Sequence, residues 1–101
     1  MRIFLTQNNG TVISSEQGSK WPIKTFSSGV TNSMIGASFL TGIKDAVVID
    51  IGGTTTDVGI IKGGRPKLQY ANIELFDQIR THMPMPASKS IGIGGGTIVR
   101  E

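Results

Sequence analysis

Grouped glycine constrains this chain more than any other feature of its sequence. Glycine fills 14 of the 101 positions, about twice average usage. The residues fall together as Gly52-Gly53, Gly63-Gly64 and Gly94-Gly95-Gly96 rather than spread as in a linker. Grouped glycine marks tight turns or backbone brought close to another group. The segments between the groups are short, apolar and β-branched: Asp45 to Asp50 (DAVVID), then Asp57-Val-Gly-Ile-Ile-Lys62, then Pro66 to Leu75. Short apolar runs separated by glycine pairs predict an antiparallel meander, with strands near 45–51, 57–62 and 66–75. The continuous apolar run in the first of these predicts a fully buried strand.

The chain reads differently before residue 45. Ile3-Phe4-Leu5 and Thr11-Val12-Ile13 predict a hairpin over 2–13, with Asn9-Gly10 the preferred pair for a primed turn. Residues 14–26 are polar and predict a connector, extended at Pro22. Ser27 or Ser28 fits the N-cap of a helix running to Thr41, with Gly42 as its stop. Val30, Met34, Ala37 and Leu40 or Thr41 share one face at helical spacing. Pro84 and Pro86 exclude a regular helix within the ambiguous stretch 77–89. The fold class expected is therefore mixed α/β (α+β), a helix followed by antiparallel strands.

Bulk properties narrow the function classes. Hydrophobic residues are 38% and charged residues 17% of the chain, which excludes a disordered tail. No run of 18 apolar residues exists, and MRIFLTQNNG turns polar too early for a secretory leader. No membrane association and a cytoplasmic location are the expectations. The net charge is +3, but the ten Lys and Arg are scattered from Arg2 to Arg100. Without clustering or interleaved aromatics they argue against nucleic-acid binding. The absence of cysteine removes thiolate metal sites and Cys nucleophiles. Lone His82 reads as surface or structural, Trp21 as a packing anchor, and Met83 and Met85 as gap fillers.

Chemistry concentrates in Asp50-Ile-Gly-Gly-Thr-Thr-Thr-Asp57. A strand delivers Asp50 to its end, Gly52 and Gly53 turn the backbone, and Thr54, Thr55 and Thr56 add hydroxyls to the exposed N–H groups. A concave array of such donors binds phosphate. A carboxylate at each end of the loop would repel phosphate unless a cation stood between them, so Asp50 and Asp57 imply Mg²⁺. Either carboxylate could orient an attacking water. The competing reading is a glycine hairpin whose acids cap turns. No G-x-x-x-x-G-K-[ST] is present, and Gly92-x-Gly94 lacks the third glycine of a dinucleotide fingerprint.

This loop resembles the second phosphate loop of the actin-like ATPases. Thr6-Gln-Asn-Asn-Gly10, Pro22-Ile-Lys-Thr25, Ser28-Gly29, the Asp50 loop and Ser90-Ile-Gly-Ile-Gly-Gly-Gly-Thr97-Ile are, in order and spacing, similar to successive blocks of the hydantoinase A/5-oxoprolinase family. The resemblance implies a partial actin-like ATPase (ribonuclease H-like) fold. Residues 1–26 would close a first lobe and 27–101 open a second, within a larger protein whose first phosphate loop lies N-terminal. It implies ATP and Mg²⁺, with Asp50 on the metal, Asp50 and Asp57 catalytic, and Gly52 to Thr56 on the phosphates. Gly94, Gly95 and Gly96 would pass close to the nucleotide and open a helix. Ser28-Gly29 would open another helix near the substrate.

The activity implied is ATP-dependent hydrolysis of a cyclic amide, with the rest of the parent chain and a second hydantoinase-type subunit or domain as partners. Relatives in the family direct the same activation to carboxylation. The alternatives are another actin-like ATPase, such as a sugar or carboxylate kinase, and a non-catalytic remnant. The chain departs from the family pattern at Val30, where Pro is common, at Asn9, where Asp is common, and at Ala87, where many members carry Asp.

Overall fold

The computed structural model describes residues 1–75 and 79–100, with the backbone alone described for 70–75 and 79–83. The side chains of His82 and Met83 thus lie outside the description. A hairpin of β1 (Phe4–Thr6) and β2 (Val12–Ser14) comes first, as expected. Its turn is longer than the primed two-residue form. Thr6 pairs with Val12, and of the turn residues only Gly10 takes a positive φ, at 87°. Asn9 instead folds its side chain back, Oδ1 accepting from the Thr11 N–H and hydroxyl at 3.0 and 2.8 Å.

The expected connector is largely helical. Helix α1 (Ser15–Lys20) follows β2 directly and a 3₁₀ turn covers Pro22–Thr25. The Ser14 side chain caps α1 by accepting from the Gln17 N–H. Gly18 is buried where a Cβ would come within 2.5 Å of Leu5 Cδ1, so α1 lies flat on the hairpin. Trp21 joins the two helical pieces at φ −133° and ψ 63°. Trp21 is 59% exposed, so within these residues it is not the packing anchor that the sequence suggests.

Helix α2 (Ser28–Thr41) begins and ends where the sequence places it, with Gly42 at φ 72° donating its N–H to Ser38 O. Its buried face is displaced by one position from the apolar stripe. Thr31, Met34 and Ser38 are buried, whereas Leu40 is exposed. Two polar residues sit inward because each has a partner. The Thr31 hydroxyl donates to Asn8 O at 2.8 Å and the Ser38 hydroxyl to Ile43 O at 2.8 Å.

The main sheet has four strands. At its centre β4 (Thr56–Lys62) pairs antiparallel with β3 (Ala46–Ile51) along one edge. Along the other edge it pairs with β5 (Arg65–Pro66) and β8 (Ser88–Ile91). Gly63 and Gly64, at φ 63° and 77°, make the two-residue primed turn from β4 to β5. The Gly63 N–H donates to Asp45 Oδ1 and the Gly64 N–H to Lys44 O. α2 packs against one face of this sheet, at Gly59. A Cβ there would lie 1.5 Å from Met34 Cε.

β3 is not buried on both faces as its apolar run predicts. Ala46, Val48 and Asp50 face inward, while Val47, Ile49 and Ile51 alternate outward and are exposed. The third expected strand leaves the sheet. β6 (Leu68–Leu75) pairs with β7 (Ile79–Pro86) as a separate two-stranded ribbon. Lys67 N–H to Ile60 O and Ala87 N–H to Lys67 O tie the base of the ribbon to the sheet. A ribbon with free edges tolerates Pro84 and Pro86, which a central strand does not.

Candidate functional site

The β3–β4 register places Asp50 directly opposite Asp57, and the β4–β8 register places Ser90 on the far side of Asp57. The three form a polar row across three strands, at the end of the sheet where both glycine loops emerge. Residues paired across a ladder share a face. Both carboxylates therefore stand on the face that α2 covers further along, at Gly59. Like charges directly opposite in an antiparallel pair repel, so the pair is a natural seat for a cation. No group of three or more His, Cys, Asp or Glu gathers among the described residues. Two carboxylates fit Mg²⁺, which keeps several waters and takes further oxygens from phosphates.

The loop above the pair runs from Gly52 to Thr55. Gly52 donates its N–H to Thr55 O at 2.9 Å, which closes the turn. Among the described residues no acceptor takes the N–H groups of Gly53, Thr54 or Thr55, and Thr54 and Thr55 are exposed. The Thr56 hydroxyl is already engaged, donating to Ile93 O at 2.6 Å.

The third glycine group comes to the same place. Gly95 donates its N–H to Gly52 O and Gly96 to Gly53 O, each at 2.8 Å. Gly94 donates to Thr97 Oγ1 at 2.9 Å, and the Thr97 N–H returns to Gly94 O. The approach is so close that a Cβ on Gly94 would stand 2.6 Å from Gly52 O and 2.7 Å from Gly53 C. Strict need for glycine thus falls on Gly94. A Cβ on Gly53 would meet nothing within 4 Å. No helix follows Gly96 among the described residues. Thr97 and its N–H are held back onto Gly94.

Two contacts set the direction of α2 over the sheet. Ser38 lies near Gly64, beyond one end of β4, and Met34 lies over Gly59. Traced back from Ser38 to Met34, α2 runs from Gly64 to Gly59, and at Thr31 it meets the hairpin at Gly10. Ser27, the residue before α2, takes the left-handed conformation at φ 57° and makes no side-chain cap. Sequence reading passed over Asn8 and Thr31. They join two of the sequence blocks to α2, since Asn8 takes the Thr31 hydroxyl on its carbonyl and gives its N–H to Lys24 O at 2.7 Å. Sequence reading also assigned no role of its own to Ser90, which the register sets beside Asp57.

A mixed α/β unit with an antiparallel sheet and a glycine–threonine loop between paired acids defines a piece of an ATPase-like fold. That fold is shared with nucleotide-free acetone carboxylase, whose structure belongs to a study of the mechanism of ATP-dependent acetone carboxylation. The TM-score is 0.73 at 28% identity, over 92% of this chain and 13% of that one. The family model for hydantoinase/oxoprolinase matches residues 1–101, and the chain belongs to that family.

Among its relatives, the caprolactamase subunit alpha of Pseudomonas jessenii is 35% identical over 57 residues, 56% of this chain and 8% of the relative. The acetone carboxylase beta subunit of Xanthobacter autotrophicus (strain ATCC BAA-1158 / Py2) is 32% identical over 80 residues, 76% of this chain and 11% of the relative. The chain thus spans about a tenth of the length of the curated relatives it matches. No helix among the described residues is long and apolar enough to cross a membrane.

Proposed function

We propose that this segment supplies one wall of an ATP site, in a protein that uses ATP to activate the carbonyl of a cyclic amide. The observation that carries the reading is the register pair Asp50–Asp57 beneath a loop with unpartnered N–H groups. In this reading Gly52 to Thr55 cradle the phosphates, while Thr56, engaged on Ile93 O, stands behind them; Asp50 would hold magnesium, which would neutralise charge on the transferring phosphoryl group. Asp57 orients water. Gly94, Gly95 and Gly96 complete the nucleotide end of the site.

A ring amide is a poor electrophile. Transfer of the γ-phosphoryl group to its carbonyl oxygen, with ADP departing, makes the ring carbon attackable. Water adds, the C–N bond breaks with a proton passing to nitrogen, and a second water releases phosphate from the carboxylate. A second subunit and the rest of the parent chain hold the ring. This matches relatives named as lettered subunits, one of them a caprolactamase.

The carboxylase relative matches more of the chain, 76% against 56%, and favours a second reading, in which the same activation serves carboxylation. One set of assays on the full-length protein tests both, following ADP release with hydantoin, 5-oxoproline or caprolactam, and with acetone plus bicarbonate. Magnesium-dependent turnover lost in folded Asp50→Asn supports the site. Folded Asp50→Asn with normal turnover and normal magnesium dependence makes the loop a hairpin only.

A further inference from the structure

Thr56 and Asp57 are neighbours on β4, so their side chains leave opposite faces of the sheet. The register agrees, with Thr56 beside Ile51 and Ile91, and Asp57 beside Asp50 and Ser90. The Thr56 hydroxyl is therefore turned away from the carboxylate row, onto the carbonyl of Ile93, 37 positions along the chain. That bond holds the loop of residues 92–97 against the back of the Gly52–Thr55 turn. Gly94 sits where a side chain would strike the backbone of Gly52 and Gly53. Gly95 and Gly96 then donate to the carbonyls of Gly52 and Gly53.

Those two acceptors fix more than their own positions. The Gly52 carbonyl and the Gly53 N–H belong to one planar peptide unit, as do the Gly53 carbonyl and the Thr54 N–H. No peptide bond in the chain is cis, and in a trans unit C=O and N–H point in opposite directions. Drawing both carbonyls toward 92–97 aims both N–H groups the other way, out of the loop.

We propose that Thr56 and Gly94 are positioning residues. They clamp the loop of residues 92–97 behind the phosphate loop, so that the N–H groups of Gly53 and Thr54 are pre-oriented for an anionic oxygen before any nucleotide arrives. This rests on the reading of the Gly52–Thr55 turn as a phosphate loop. It assigns the N–H groups of Gly95 and Gly96 to the backing of that loop and not to direct contact with phosphate.

The test uses Thr56→Val, Thr56→Ser and Gly94→Ala in the full-length protein, with two measurements on each. Hydrogen exchange in nucleotide-free protein reads the clamp directly. Amides in 92–97 should exchange roughly tenfold faster in Thr56→Val and Gly94→Ala, and at the wild-type rate in Thr56→Ser, which keeps the hydroxyl. ATP-dependent turnover should show KM for ATP raised about tenfold in the first two variants and restored in the third. Unchanged exchange in folded Thr56→Val and Gly94→Ala overturns the proposal. So does faster exchange with unaltered KM for ATP. If Thr56→Val does not fold, Gly94→Ala decides by itself, because it parts the loops with the hydroxyl intact. Asp50→Asn distinguishes the two ideas: normal turnover there sinks the phosphate-loop reading, while the exchange rates still report on the clamp.

Discussion

Gly59 has no side chain because Met34 occupies the place one would take. Met34 is 2% exposed, so Gly59→Ala overpacks the small core and forces the end of the Met34 side chain into another position. Urea unfolding should show a loss of about 1–3 kcal/mol. Thr31 is buried for a different reason, since its hydroxyl satisfies the Asn8 carbonyl in a dry contact. Thr31→Val keeps the shape and removes that hydrogen bond, at a cost of about 0.5–1.5 kcal/mol by the same measurement. Neither residue stands out in the sequence. A periodicity count rewards Val30 and Ala37 for being apolar and penalises Thr31 and Ser38, whose partners come from a hairpin and a loop that only the fold brings near. The strand–turn–strand that sets Asp50 opposite Asp57 was legible, because two apolar runs flank a glycine pair there.

Among the elements, α1 was legible and was passed over. Ser14-Ser-Glu-Gln17 carries the Ser-x-x-Gln spacing of a capping box, and the Ser14 side chain accepts from the Gln17 N–H. Ser14→Ala should lower stability by about 1 kcal/mol, seen as a small fall in midpoint at unchanged slope in the same denaturant titration. The primed turn was expected at Asn9-Gly10 and is found at Gly63-Gly64, where both residues take positive φ. Asn9 has a local alternative, its own side-chain turn onto Thr11, and Gly63 has none. β3 reads from sequence as a doubly buried strand because Val47, Ile49 and Ile51 are apolar, yet all three are exposed in this chain. Composition records what a strand is able to bury; which neighbour covers it belongs to tertiary structure. The separation of β6 and β7 into a ribbon was illegible for the same reason. Period-2 patterning identifies strands and is silent about which sheet receives them.

At the scale of the molecule, the proposed function puts the donors of the Gly52–Thr55 turn on one side of a phosphate group. Removing a single donor from a charge-stabilising site costs about 10²–10³ in rate, and the family resemblance places the opposite set of donors in an N-terminal lobe. The 101-residue chain by itself should therefore show no ATP hydrolysis above background in a phosphate-release assay. Turnover abolished by Asp50→Ala would contradict this.

The order in which the chain is made has a consequence as well. The partners of β4 arrive at different times. β3 lies just before it and joins through a short turn, whereas β8 arrives only after the whole β6–β7 ribbon. Closing the span between Thr56 and Ile93, 37 positions apart, carries an entropy cost that rises with the logarithm of loop length. During synthesis the paired acids can form early, while their loop waits, unbacked, for residues 92–97 to leave the ribosome. A chain stalled in the ribbon would hold the Asp50–Asp57 pair and a slack turn, and the backing of that turn would come only with β8 and the loop after it.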